Sequence, residues 1–261
     1  MTSMTPDGIA YDDTGEGEHA LLFLPGWCGP RNLFDPLRSR LDGRVRALAV
    51  DWRGHGESKP AGADFGAAEL ADDATAVIEE SGAAQVVPVA AAHAGWVAIE
   101  LRRRLGPERV PKLVFVDWMV LGAPPPFLGA LAGMAAPETT RPVVDQVAAM
   151  WVANLDMPAL TAYVGSMVAL PDEMWARAAR EIAVAFDQFG SPLDAVAALD
   201  PPPPALHVYA QPDDPAFLDA QRAFSAAHPW FAVERLDAKS HFPMFEVPDE
   251  MVRLIEAFVA R

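Results

Sequence analysis

The stretch VVPVAAAHAGW, residues 86–96, has the pattern of a buried strand that runs into a sharp turn and then into a helix. Positions 90, 91, 92, 94 and 95 are all small, as a crowded corner between a strand and a helix requires. In a common fold this corner presents a nucleophilic serine in the pattern G-x-S-x-G. Here the central residue is Ala92, and His93 follows it directly. The stretch therefore predicts a nucleophile elbow that lacks its nucleophile.

Apolar runs of strand length alternate with helical patterns on both sides of this corner. Such alternation predicts a mostly parallel sheet with helices on both faces. The runs after the first predicted strand, GIAYDDTG (8–15), are HALLFL (19–24), RVRALAV (44–50), AQVVPVA (84–90), KLVFVDW (112–118), ALHVYAQ (205–211) and FAVERLD (231–237). A final amphipathic pattern, EMVRLIEAFVAR, predicts a closing helix.

Residues 122–204 differ from the rest because they contain helical patterns and no clear strand. Proline clusters mark both ends of this segment, GAPPPF and LDPPPP. We therefore predict one α/β core made of residues 1–121 and 205–261, with a helical cap formed by residues 122–204.

Composition excludes several function classes. With 261 residues, 51% of them apolar, the chain can bury a large core. Its formal net charge of −16 argues against nucleic acid as a partner, because phosphates attract basic surfaces. The single cysteine, Cys28, excludes a disulfide framework, and no His, Asp or Glu spacing predicts a metal site. No run is long enough to span a membrane and the polar first 20 residues are unlike a signal peptide, so a cytoplasmic location is expected.

Four motifs occur along the chain in an order that is typical of one fold. They are a glycine turn (LPGWCG, 24–29), the motif DWRGHGES (51–58), the elbow, and a late histidine, His241, in KSHFPMFEVPDE. Together they predict an α/β-hydrolase fold, in which the late histidine acts as the base and a carboxylate orients it. Two acids are candidates for that partner. Asp213 follows the strand where ordinary hydrolases keep their acid, and Asp117 ends the preceding strand; spacing alone does not decide between them.

Beyond the fold, the chain resembles the cofactor-independent 2,4-dioxygenases that open 3-hydroxy-4-oxoquinolines with O₂ and release carbon monoxide. The resemblance covers nearly the whole chain. Its motifs are LLFLPGWC (21–28), DWRGHGES, HAGWVAIEL (93–101), VDW (116–118), AAMWVANL (148–155), FGSP (189–192), AAHPWF (226–231) and SHFPMFEVPD (240–249).

The resemblance implies a role for each of several residues. It implies His241 as the base and Asp117, not Asp213, as its acid partner. It also implies that the backbone amides of Trp27 and His93 hold the substrate anion, with the His93 ring touching the substrate. Aromatic lining of the cavity is implied for Phe127 and Trp151.

Two positions depart from the family's best-known members. Ala92 replaces a serine that hydrogen-bonds the substrate hydroxyl, and Gly29 replaces a histidine after the Gly-Trp-Cys turn. Ring opening in this family needs no acyl-enzyme: a base removes the acidic hydroxyl proton, and the anion reacts with O₂. Loss of one buried hydrogen bond, on the order of 1–3 kcal/mol, would weaken such a site without abolishing the reaction.

The resulting expectation is a cofactor-free dioxygenase acting on a planar hydroxylated N-heteroaromatic, with O₂ as the second substrate and no metal. Two alternatives stay open. One is a hydrolase or C–C bond-cleaving enzyme in which His241 activates water, and the other is a binding protein that retains the pocket without catalysis. A covalent serine mechanism is excluded unless the nucleophile comes from elsewhere; Ser240 adjoins His241 in sequence but is expected to point differently.

Overall fold

A computed structural model of the chain describes residues 2–41 and 43–261. Within this part of the chain an eight-stranded sheet alternates with helices. The strands are β1 (Thr2–Met4), β2 (Ala10–Thr14), β3 (His19–Leu24), β4 (Arg46–Val50), β5 (Gln85–Ala91), β6 (Leu113–Val116), β7 (Ala205–Tyr209) and β8 (Phe231–Arg235). The helices are α1 (Asp35–Leu41), α2 (Ala67–Ser81), α3 (Ala94–Arg109), α4 (Pro125–Ala135), α5 (Thr140–Val152), α6 (Pro158–Val168), α7 (Asp172–Phe189), α8 (Pro192–Ala197), α9 (Pro215–Ala227), α10 (Pro243–Glu246) and α11 (Pro248–Val259), with a 3₁₀ helix at Arg31–Phe34.

The strand order is β1-β2-β4-β3-β5-β6-β7-β8. β1 and β2 are antiparallel to their neighbours, and the remaining pairs are parallel. The central strands are buried on both faces, which is why they read as continuous apolar runs. The predicted α/β-hydrolase architecture is confirmed.

Parallel strands bring the segments that follow them to one edge of the sheet. The glycine turn follows β3, the elbow follows β5, Asp117 follows β6, and the loop 210–214 follows β7. Ala91 of β5 pairs with Val116 of β6, so the elbow and Asp117 lie side by side. Ligands of open α/β sheets bind at this carboxyl-terminal edge.

Between β6 and β7 the chain forms the five helices α4 to α8, which we call the cap helices. Pro125, Pro158 and Pro192 each occupy the first turn of a cap helix, where a missing N–H costs nothing.

The short edge strand β1 was not predicted, because three partly exposed residues carry no apolar pattern. Among the described residues, no helix is long and apolar enough to cross a membrane.

Candidate active site

The elbow has the strained backbone that a nucleophile elbow requires, although it carries a methyl group. Ala92 has φ +46°, a left-handed conformation that costs energy for a residue with a Cβ. Its N–H donates to the Val116 carbonyl (2.8 Å), which fastens the turn to the neighbouring strand. A Cβ on Gly95 would lie 2.1 Å from the Trp118 ring, so glycine is required for the elbow to pack against that indole.

His241 and Asp117 form a hydrogen-bonded pair. Nδ1 of His241 donates to Oδ2 of Asp117 across 2.6 Å, because a carboxylate can only accept. Oδ1 of Asp117 accepts from the N–H groups of Ala210 (2.6 Å) and Gln211 (2.9 Å). Asp117 is 3% exposed, so its carboxylate is buried, and hydrogen bonds hold both of its oxygens. Its backbone is left-handed, with φ +49°. Nε2 of His241 has no hydrogen-bond partner among the described residues.

The second candidate acid, Asp213, lies elsewhere. Its carboxylate forms an ion pair with Arg235 on the surface, and its side chain is 64% exposed. Ser240 is also directed away from a nucleophilic role, because its hydroxyl donates to Glu246 (2.6 Å). The structure therefore brings Asp117, and neither of these residues, to the imidazole of His241.

The hydrogen bonds of His93 define which of its nitrogens carries the proton. Nε1 of Trp118, which can only donate, points at Nδ1 of His93 (3.1 Å), so the ring proton resides on Nε2. Burial, together with the neighbouring His241, lowers the pKa of His93 to about 3. His93 is therefore neutral near pH 7 and presents Nε2–H as a donor, with no acceptor for it among the described residues.

The glycine turn supplies backbone donors. The N–H groups of Trp27 and His93 have no acceptor within the part of the chain that the structure describes. Cys28, at φ +64°, donates its N–H to Nε2 of His55 (3.2 Å), and Nδ1 of His55 donates to the Arg53 carbonyl (3.0 Å). His55 thus holds the turn in place.

Aromatic rings flank both imidazoles. Trp151 of α5 stacks on His241 with centroids 5.8 Å apart and an interplanar angle of 18°. Phe127 of α4 stacks on His93 at 5.3 Å and 17°. Both predicted aromatic residues therefore come from the cap helices and lie against a histidine. These rings cover part of each imidazole with an apolar surface, and the His241 side chain remains 30% exposed.

Sequence reasoning did not single out three residues near this centre. Trp118 appeared only as part of the VDW motif, and its bond to His93 joins positions 25 residues apart. Phe65 stacks on Trp27 (5.7 Å, 4°), and Tyr163 packs on Phe242. The adjacency of Asp117 and Trp118 was a usable signal, because both residues directly follow β6 at the edge of the sheet where ligands bind. Phe65 and Tyr163 carried no sequence signal.

A surface groove of about 600 Å³ lies between α2, α3 and α7. Phe65, Trp96 and Ala185 line it, whereas His241 and Asp117 do not. The groove is therefore separate from the histidine–aspartate pair.

Among the described residues, no group of three or more His, Cys, Asp or Glu side chains is arranged to hold a metal ion.

Comparison with known proteins was made against this geometry. The model of the alpha/beta hydrolase family matches residues 21–254. The chain is 32% identical over 262 residues to a 2-heptyl-3-hydroxy-4-quinolone dioxygenase of Rhodococcus erythropolis, covering 98% of this chain and 97% of that protein. It is 31% identical to the 1H-3-hydroxy-4-oxoquinoline 2,4-dioxygenase of Pseudomonas putida, covering 99% of each. Among solved structures, AqdC with its product, an enzyme that recognises and ring-cleaves the Pseudomonas quinolone signal, superposes with a TM-score of 0.93 at 32% identity over 100% of both chains.

Proposed function

Because the chain belongs to the alpha/beta hydrolase family and, within it, to the 3-hydroxy-4-quinolone 2,4-dioxygenases, we propose that it opens the ring of a 3-hydroxy-4-oxoquinoline with O₂ and releases carbon monoxide. One observation carries this proposal: a histidine hydrogen-bonded to a buried aspartate across 2.6 Å lies beside an elbow whose central residue, Ala92, cannot be acylated. The site retains a base and has no covalent nucleophile.

In this proposal His241 is the base. Nε2 removes the proton of the substrate's 3-hydroxyl group, while Nδ1–H stays bonded to Asp117. The carboxylate of Asp117 orients the ring and stabilises the imidazolium that forms. Stacking of Trp151 on the imidazole restricts its rotation, so the base keeps one orientation.

The substrate anion is held by hydrogen-bond donors. We assign this role to the N–H groups of Trp27 and His93 and to Nε2–H of His93. Fixed donors in a site that excludes water stabilise developing negative charge without reorganising during the reaction. Ala92 contributes a methyl contact where a serine would add one more hydrogen bond.

The bond changes balance without a cofactor. The deprotonated ring donates electrons to O₂, and the two oxygen atoms bond to carbons 2 and 4. The C2–C3, C3–C4 and O–O bonds break, and carbon 3 leaves with its own oxygen as carbon monoxide. The ring-opened product keeps both atoms of O₂ and regains the proton that His241 removed.

The water-activating alternative predicts different products. A hydrolase or C–C bond-cleaving enzyme would consume water, work without O₂ and release no carbon monoxide. A binding protein would turn nothing over. Neither has a specific observation in its favour, because the bonded His241–Asp117 pair is superfluous in a binder and the relatives at about 30% identity are dioxygenases.

The test is oxygen consumption by the purified protein with 3-hydroxy-4-oxoquinoline and its 2-alkyl derivatives. We expect one carbon monoxide per O₂ consumed, detected by its binding to reduced haemoglobin. Activated aryl esters should give no burst of product and no covalent adduct, since Ala92 cannot be acylated. Turnover under nitrogen, or an adduct on the protein, would overturn the proposal.

A further inference from the structure

The cap residue Tyr163 continues the aromatic wall that begins at His241. Its ring, on α6, meets Phe242 edge-on with centroids 5.5 Å apart and Phe245 at 5.7 Å. Phe242 follows His241 in the chain, and its ring also meets Trp151 at 5.3 Å. Tyr163 is 4% exposed, so the whole ring lies between the cap and the core.

The hydroxyl of Tyr163 occupies the place of a missing side chain on the glycine turn. A Cβ built on Gly29 would lie 2.2 Å from Oη of Tyr163 but 3.5 Å from Cζ. The hydroxyl oxygen is the atom that a side chain at position 29 would overlap, while the Gly26 carbonyl oxygen at 3.1 Å would be a tight contact and the ring an ordinary one. This oxygen therefore lies against the turn, two residues after Trp27, whose N–H is available to a ligand.

This hydroxyl has no hydrogen-bond partner among residues 2–41 and 43–261. The nearby carboxylate of Asp51 already accepts from the N–H groups of Arg31 (2.7 Å) and Glu57 (2.9 Å) and from the Arg31 guanidinium. Burial raises the pKa of Tyr163, and the neighbouring Cys28 and Asp51 raise it further, so the phenol keeps its proton. The oxygen is not one of the fully buried polar atoms without a partner, so water or a ligand can reach it and supply the missing hydrogen bond.

We propose that Tyr163 is a specificity-determining residue whose hydroxyl donates a hydrogen bond to the 4-oxygen of the bound ring. This inference rests on the proposed function. His241 takes the proton of the 3-hydroxyl, and the negative charge that results is shared with the 4-oxygen. Tyr163 reaches the glycine turn from α6, and the N–H of Trp27 belongs to that turn, so we assign both donors to that oxygen. The hydroxyl selects rings that carry an oxygen at position 4.

The test compares two ligands without O₂, so that binding is measured without turnover. One is 3-hydroxy-4-oxoquinoline, and the other is 3-hydroxyquinoline, which lacks the 4-oxygen. Tyr163→Phe removes one hydroxyl and keeps the ring. Because a hydrogen bond to a charged acceptor is lost, Kd for the first ligand should rise about tenfold or more, whereas Kd for the second should change less than about twofold.

Gly29→Ala provides an independent test of the geometry. Its Cβ meets the hydroxyl, so Kd for 3-hydroxy-4-oxoquinoline should rise as in Tyr163→Phe. In the double variant the Cβ keeps an ordinary contact with Cζ and a tight one of 3.1 Å with the Gly26 carbonyl oxygen, so adding Gly29→Ala to Tyr163→Phe should raise Kd much less than Gly29→Ala does in the wild type. The control is Gly165→Ala, on the exposed face of α6, where a Cβ meets nothing within 4 Å.

The outcomes separate the inference from the function on which it rests. Equal weakening of both ligands, or no weakening of either, overturns the role of Tyr163 while wild-type release of carbon monoxide still supports the proposed function. Additive effects in the double variant also overturn it. Failure of the wild-type protein to consume O₂ overturns the proposed function and this inference with it.

Discussion

Asp117 and Asp213 follow neighbouring strands, but only Asp117 contacts His241. Asp117→Asn should lower kcat by on the order of 10²–10⁴, because an amide neither fixes the imidazole tautomer nor stabilises the imidazolium. Asp213→Asn removes only an exposed ion pair with Arg235 and should leave kcat within about twofold. Steady-state oxygen uptake measures both variants. Equal losses in the two would contradict the role proposed for Asp117.

The indole N–H of Trp118 is the donor that fixes the tautomer of His93. Trp118→Phe leaves Nδ1 of His93 without its donor, so the ring proton is free to move to Nδ1 and Nε2 ceases to be a donor. We expect kcat/KM to fall about tenfold, the worth of one buried hydrogen bond of roughly 1.4 kcal/mol. Nitrogen-15 NMR of the imidazole should show the change of tautomer.

Trp96→Phe is the matched control for that experiment. The Trp96 indole belongs to the same aromatic cluster, with its ring 5.1 Å from that of Trp118, but its buried Nε1–H has no partner in the described chain. Trp96→Phe removes this N–H, and it should leave both the His93 tautomer and kcat/KM close to wild type. A comparable loss in both variants would assign the effect to packing instead of to the hydrogen bond.

At the scale of elements, the elbow and the end of β6 are interlocked by Gly95 and Trp118. Gly95→Ala places a Cβ 2.1 Å from the indole, so the start of α3 or the ring must shift. We expect the free energy of unfolding to fall by about 1–3 kcal/mol, as overpacked cores do. Gly165→Ala, exposed on α6, should instead be neutral or stabilise by up to about 1 kcal/mol. Urea unfolding measures both; an unchanged Gly95→Ala would contradict the interlock.

Most elements were predictable because their signals are local. The central strands are continuous apolar runs, and the elbow has an unmistakable series of small residues. β1 was missed because an edge strand of three residues has no buried pattern. For the site, spacing did not decide whether Asp117 or Asp213 is the partner of His241, and only the resemblance favoured one. The hydroxyl of Tyr163 was invisible, because a helical pattern identifies a buried face without saying what lies against it.

At the scale of the whole molecule, buried neutral histidines make stability depend on pH. Burial lowers the pKa of His207 to about 4 and that of His93 to about 3, from ordinary values near 6.5 in the unfolded chain. Below pH 6.5 the unfolded chain therefore binds protons that the folded chain does not. Stability is full above that pH and falls as the pH is lowered, by about 2 kcal/mol per histidine between pH 7 and pH 5.

His207→Gln isolates one of these contributions. His207 accepts from the N–H of Trp118 (3.2 Å) and donates to Gln221 (2.6 Å), so its loss also lowers stability at every pH. The slope of unfolding free energy against pH between 5 and 6 is the cleaner readout, because it counts protons. We expect the slope to decrease by about one proton in the variant. An unchanged slope would show that His207 titrates alike in both states.

The loop after β7 donates hydrogen bonds to Asp117 from the backbone N–H groups of Ala210 and Gln211. Any amino acid other than proline has such a group, so the chemistry makes no demand on the side chains at these two positions. In a hydrolase that keeps its acid in this loop, the same positions adjoin a residue that cannot change. Ala210 is fully buried, so its side chain must stay small, whereas Gln211 is partly exposed. A library randomised at 211 should yield active variants with most residues, and proline should be eliminated. Position 211 is thus open to redesign at the edge of a reaction centre.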